Sequence, residues 1–323
     1  MRRRFGLIAL LLLALSAAAD AAQQQPFPAR PVRMIVSNAP GSAPDVIARL
    51  VSAKMGEIWG QQIVIDNRPG ATGLIAAELT ARAAPDGYTL WMNTMTQLIA
   101  TLQAERYMLA RDFEAVSLVG STPFVIVVSQ SLPVKSIAEL IAYAKARPGQ
   151  LSYASAGQWG SSHMCMEALS AMSGISVVHV PYKSSTQALT DIVGGRMHMY
   201  CPAAPGLPMF AGKVRPIAMT YLKPSPLAPG LPPVADTLPG FELLGWYGMQ
   251  VPLKTPKPLI AKINADLVTA LKDPELRERL FKVGAEGVGN SPAEFAVFLN
   301  NETARWDKVL KQAGGARLPQ WTQ

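Results

Sequence analysis

Apolar positions along this chain switch repeatedly between a period of two and a period near 3.6. Residues 32–36 (VRMIV) are β-branched and apolar, the pattern of a buried strand. Residues 37–41 follow as a small polar loop broken at Pro40-Gly41. Val46, Ile47, Leu50, Val51, Met55 and Ile58 then recur at helical spacing and give one apolar face. Ser42 with Asp45 three residues on has the form of a capping box at the helix start, with Asp in place of Glu or Gln. The arrangement repeats. A strand over 61–66 leads into the loop 67–73 and a helix from Leu74. A third strand over 88–92 leaves through the small polar residues 93–97. Strand and helix in alternation predict a parallel sheet with right-handed crossovers.

A longer extended region, 116–119 and 124–128, is interrupted at Pro123 and reads as a crossing into a second lobe. The same grammar resumes with a helix over 136–146, a strand over 151–155, a loop over 156–162 and a helix over 163–172. A strand over 177–180, a helix ending at Val193 and a strand over 197–201 follow, and 216–220 reads as the return crossing. Residues 223–233 carry five prolines and are a loop. A last strand over 246–251 precedes helices over 257–272, 274–283 and 292–312. The expected architecture is α/β with two lobes, each a mainly parallel sheet flanked by helices. Lobe 1 is 22–124 with 222–323, lobe 2 is the inserted 125–221, and a cleft between them is the natural ligand site.

The first 21 residues stand apart. Arg2-Arg3-Arg4 precede an apolar run too short to span a bilayer, and Ala19-Asp20-Ala21 fits a small-x-small cleavage site, so 1–21 reads as a signal peptide cut near Ala21. Both the general secretory and the twin-arginine routes fit these residues. Removing three Arg and one Asp takes the net charge from +8 to +6 (8 − 3 + 1). A basic, exported protein suits anionic ligands. No arginine-rich run or aromatic–basic interleaving supports a nucleic-acid role.

In open α/β sheets ligands bind beyond the carboxyl ends of the strands. There the chain places Asn38, Ala39, Pro40, Gly41, Ser42 and Asp45; then Gly70, Thr72 and Gly73; then Asn93, Thr94 and Thr96. From the second lobe come Ser155, Gly157, Gln158, Ser161, Ser162 and His163, then Tyr182, Lys183 and Ser184. These are mostly neutral donors with few acids among them. Each helix start offers free amides and the positive end of its dipole, worth roughly 0.3–1 kcal/mol toward an anion. Several converging starts suit a carboxylate. Trp159 and Tyr182 lie in the same loops, where aromatic rings line pockets or merely pack the loop.

Catalytic and metal readings have less behind them. Ser162-His163 with Asp191 as orienter suggests a serine hydrolase. Adjacent residues at a helix start, however, point about 100° apart, and there is no G-x-S-x-G elbow. His163, His179 and His198 lack ligand spacing with one another or with the two cysteines. Gly70-x-x-Gly73 is too short for a dinucleotide loop and reads equally as a turn with close helix packing. No cofactor is expected.

The assembled motifs resemble the Bug family, the periplasmic solute receptors of tripartite tricarboxylate transporters. The resemblance is carried by PVRMIV at 31–36 with Pro40-Gly41 and DVIAR at 45–49; by DNRPGATG at 66–73; and by APDGYTL at 84–90. LSYASAG at 151–157, HVPYK at 179–183 and TPKP at 255–258 continue it, in register from about Pro26 to Gly315. It implies a monomeric two-lobe binding protein of the periplasm, not an enzyme, that closes on a small carboxylate and delivers it to membrane permease subunits. A receptor feeding a sensor kinase is the alternative. By position it points to 38–42, 70–73 and 155–163 as the carboxylate grip. Two departures stand out. The family's paired glycine is Gly41-Ser42 here, and a strand end that often carries Asp is Cys201, placed among the ligand residues and implying a ligand without an ammonium group. Cys165 sits in the first turn after another strand of the same lobe. If those strands are neighbours the sulfurs come close, and the sequence leaves the pairing open.

Overall fold

A computed structural model describes residues 27–312, so the expected signal peptide lies outside the described residues. Two sheets organise the chain. The first contains β1 (Val32–Val36), β2 (Ile63–Asn67), β3 (Thr89–Thr94), β4 (Phe113–Pro123), β10 (Leu244–Pro252) and β11 (Glu286–Gly287) in the order β11-β4-β10-β3-β1-β2. The second contains β5 (Val125–Ser129), β6 (Ser152–Ser155), β7 (Val178–Pro181), β8 (Met199–Tyr200) and β9 (Val214–Met219) in the order β7-β6-β8-β5-β9. β1 pairs in parallel with β2 and β3, and β6 with β7 and β8. β10, β11, β5 and β9 run antiparallel to their partners. The chain thus crosses between sheets at Pro123–Val125 and returns after β9.

The helices are α1 (Ala43–Trp59), α2 (Leu74–Ala81), α3 (Met95–Ala104), α4 (Ile137–Lys145), α5 (Ser161–Ser173), α6 (Ser185–Val193), α7 (Lys257–Lys272), α8 (Pro274–Lys282) and α9 (Pro292–Gln312). Alternation along the strands assigns their faces. Val32, Met34 and Val36 pack with Ile47, Val51 and Met55 of α1 and with Ile260, Ile263 and Leu267 of α7. Ile35 and Trp91 point the other way, into a core shared with α3, α5 and α9 that continues across both sheets. In β5, Val125 and Val127 face α6 while Ile126 and Val128 face this shared core. Each such fully buried side chain contributes about 1.5–3 kcal/mol.

Two local expectations are corrected. Ser42 is the N-cap of α1 but makes no side-chain cap bond. Its hydroxyl donates to the Ala39 carbonyl, and Asp45 instead takes the Gly41 N–H at 2.8 Å. The polar exit of β3 is itself a helix start: Thr94 and Gln97 form a full capping box at the head of α3.

Candidate functional site

The carboxyl ends of β3, β1 and β2 lie side by side and are tied together. Trp91 Nε1 donates to Ser37 Oγ at 2.8 Å, and Arg68 N–H to the Val36 carbonyl at 2.8 Å. Asn67 Nδ2 reaches both the Asn38 carbonyl (3.0 Å) and Asp45 Oδ1 (2.9 Å). Asp45 is only 2% exposed. Burial opposes its charge, but Arg49, the Gly41 amide and Asn67 together outweigh that and hold its carboxyl below the usual 3.8. Asp45 is therefore an anchor for the 38–42 loop, with its oxygens already engaged. Asn38 Oδ1 is buried and has no hydrogen-bond partner among the described residues.

The 70–73 loop has an unusual backbone. Gly70, Ala71, Thr72 and Gly73 all have positive φ, at 125°, 45°, 56° and 97°. For Ala and Thr this costs of order 1–2 kcal/mol each and persists only when surroundings impose it. Ala71 and Thr72 are themselves exposed, and the contact that fixes the loop is made at Gly73. A Cβ on Gly73 would sit 2.4 Å from Gln97 Cγ, and Gln97 Nε2 lies 3.5 Å from the Thr72 carbonyl. Gln97 Oε1 accepts from both the Thr94 amide and hydroxyl. Thr94 thus serves the cap of α3. Beside it, Thr96 Oγ1 lies 3.4 Å from Ser161 Oγ, the first residue of α5. This contact joins the strand ends of the first sheet to those of the second.

On the second side, the loop after β6 is held by its own hydroxyls. Ser155 Oγ accepts from the Gly157 amide (3.2 Å) and meets His179 Nε2 (2.7 Å). Ser162 Oγ accepts from the Ala156 amide (3.0 Å), and His163 Nδ1 accepts from the Trp159 amide (2.9 Å). Trp159, like Thr72, has positive φ (62°). Burial lowers the His163 pKa to about 4, and burial with the neighbouring His163 does the same to His179. Gly157 is half-buried, Gln158 exposed and Ser161 half-buried, so this loop presents backbone and small groups.

Not every candidate residue converges here. Asn93 is fully buried, with its amide on Gln250 (3.0 Å) and its oxygen against Gly248. Tyr182 N–H bonds the Ser155 carbonyl, but its hydroxyl turns to Asp191 at 2.7 Å. With the exposed Lys183 it lines a groove of about 540 Å³ along α6. Cys201 is buried with its sulfur bonded to Cys165, bridging α5 to the end of β8, so that sulfur faces no ligand. Among the described residues, no group of three or more His, Cys, Asp or Glu is placed to hold a metal ion.

Residues 47–315 match the profile of the TctC family, the tripartite tricarboxylate transporter family receptors. The chain belongs to this family. The receptor is 36% identical over 316 residues, 96% of this chain and 94% of the relative, to the UPF0065 protein in the tcbD-tcbE intergenic region of Pseudomonas sp. strain P51. Among solved structures it is similar to R. palustris Rpa4515 with adipate, at 34% identity and a TM-score of 0.73 over 89% of this chain and 98% of that one. It is also similar to MatC (Rpa3494) from Rhodopseudomonas palustris with bound malate, at 30% identity and a TM-score of 0.72 over 88% and 100%. The resemblance drawn from the motifs therefore holds.

Sequence reasoning missed two parts of the receptor's site framework. Gln97 organises the 70–73 loop, and Thr94-Met95-Thr96-Gln97 carried the capping-box signal that would have found it. Asn67, which links the first two loops, gave no comparable signal.

Proposed function

We propose that this receptor captures a small carboxylate between the carboxyl ends of its two sheets and passes it to the membrane subunits of a tripartite transporter. The observation that carries the reading is the meeting of the α3 and α5 starts at Thr96 and Ser161, beside the positive-φ loop 70–73 and the start of α1. Amides and hydroxyls converge there, and Asp45, the acid at the start of α1, is already engaged by Arg49, Asn67 and Gly41. An anion meets donors and little repulsion in such a place. Adipate and malate in the two similar solved structures support the same ligand class.

The ligand lacks an ammonium group in this reading. Asp45 is committed, and the Cys201 position offers a disulfide sulfur in the core. The protein acts in the periplasm, as a monomer, after export directed by residues 1–21. The reading is of a binding protein rather than a serine hydrolase, and it is supported by the Ser162 hydroxyl and the His163 Nδ1 each holding a different loop amide. Thermal unfolding against a panel of mono-, di- and tricarboxylates at pH 7 tests this. A ligand at 100 times its Kd stabilises by about 2.7 kcal/mol, a plain rise in midpoint. No stabilisation by any carboxylate, with turnover of model esters, would replace this reading with the hydrolase one.

A further inference from the structure

His163 of α5 and His179 of β7 stack face to face, with ring centroids 3.9 Å apart and planes 21° apart. Tyr153 stacks on His179 at 4.9 Å, because β6 and β7 pair these two residues directly. Trp159 meets His163 edge-on at 5.0 Å. Each imidazole commits one nitrogen to the loop after β6: His163 Nδ1 to the Trp159 amide, and His179 Nε2 to the Ser155 hydroxyl that cradles Gly157. An Nδ1 that accepts a hydrogen bond leaves the proton of the neutral ring on Nε2. The loop held this way includes Trp159 at φ 62° and Gly157 at φ 131°, a shape that local propensity does not favour.

We propose that His163 and His179 are positioning residues for ligand capture: as a neutral stacked pair they template the loop over 155–160 and aim the amides at the start of α5, and protonation of the pair releases that loop. The inference rests on the reading that this loop forms half of the ligand site. A proton on His163 Nδ1 would turn an acceptor into a donor facing the Trp159 N–H. Two cations 3.9 Å apart would also repel. The acid facing the pair is Glu167, whose Oε1 is 3.7 Å from His163 Nε2, and the neighbouring titratable phenol is Tyr153, which donates to the same Glu167. Burial lowers the His163 pKa to about 4, and for His179 burial and the neighbouring His163 outweigh the attraction of Glu167 and bring it to about 4 as well.

With three histidines in the chain, the ring proton resonances can be followed one by one in the ligand-free, full-length mature protein by NMR. As pH falls from 7.5, the His163 and His179 signals should stay neutral to below pH 5. The amides of Gly157 and Trp159 should then move with the same midpoint. His163→Asn, whose side-chain oxygen reproduces the Nδ1 acceptor, should keep the loop amides in place and remove the pH response of the Trp159 amide, which His163 holds. His163→Leu should shift them at pH 7 and weaken binding of malate or adipate at least tenfold. Titration of either ring near 6.5 with the loop amides unmoved, or a His163→Leu loop identical to wild type, would overturn the proposal. The wild-type titration uses no variant and decides the matter even if His163→Leu does not fold. Failure of both carboxylates to bind at any pH would instead count against the ligand reading, while the loop signals still report on the histidines.

Discussion

The Cys165–Cys201 bridge gives the sharpest quantitative test of how the site is held. It joins α5, which begins at the contact with Thr96, to the end of β8, over a sequence separation of 36 residues. In the chain-entropy account, closing a loop of that length removes about 13 cal/mol/K from the unfolded chain, or about 4 kcal/mol at 25 °C. Typical domains are stable by only about 5–15 kcal/mol, so the bond contributes a large fraction. Both cysteines are fully buried in the core shared by the two sheets, so Cys165→Ala/Cys201→Ala leaves apolar groups against apolar groups and adds a modest packing loss. Urea unfolding followed by far-ultraviolet circular dichroism should show the double variant losing at least about 3 kcal/mol. With a slope of about 3 kcal/mol/M, the midpoint falls by roughly 1 M. Coincident midpoints, or two free thiols counted in the unfolded and unreduced protein, would refute the argument.

Three further outcomes follow from the same framework. Both His163 and His179 have pKa values near 4 in the fold against 6.5 ordinarily, so the unfolded chain takes up protons first as pH falls. Stability is then fully present above pH 6.5 and declines toward pH 4, by up to roughly 3 kcal/mol for the buried His163 and by less for the half-buried His179, where solvent screens the charge; urea midpoints at pH 7 and 4.5 measure this, and equal midpoints would contradict it. Gly73→Ala combines a positive φ with a Cβ 2.4 Å from Gln97 Cγ, and should destabilise by about 1–3 kcal/mol and weaken carboxylate binding, as read by calorimetric titration. Asp45→Ala strands the Gly41 amide and the Asn67 side chain, and should cost about 1–3 kcal/mol with faster amide exchange over 38–42.

The long periodic elements were legible because their apolar faces are dictated by local pattern. Val46, Ile47 and Val51 announce α1, and alternation in β1 separates Val32, Met34 and Val36 from Ile35. Local capping was misassigned. Ser42–Asp45 has the right spacing, but Arg49 and Asn67 recruit Asp45 into an anchor, whereas Thr94–Gln97 forms the real box and begins α3. Asn93 lies at a strand end, yet strand parity turns its side chain to the Trp91 side of the sheet, against Gly248. The stacked pairing of His179 has no local signal, since its partner arrives from α5 and only the β6–β7 register brings Tyr153 alongside. The cysteine pairing depended likewise on β6 and β8 being neighbours, which no local signal encodes.

The central claim is that backbone amides and hydroxyls at the strand ends of both sheets hold an anion. Hydrogen–deuterium exchange, with and without a carboxylate that raises the unfolding midpoint, tests it most directly. Protection should appear together over 38–43, 70–74, 94–97 and 156–163. Protection confined to the groove of about 600 Å³ between α1 and β2, lined by Arg49, Gly60 and Ile63, with those four segments unchanged, would contradict it.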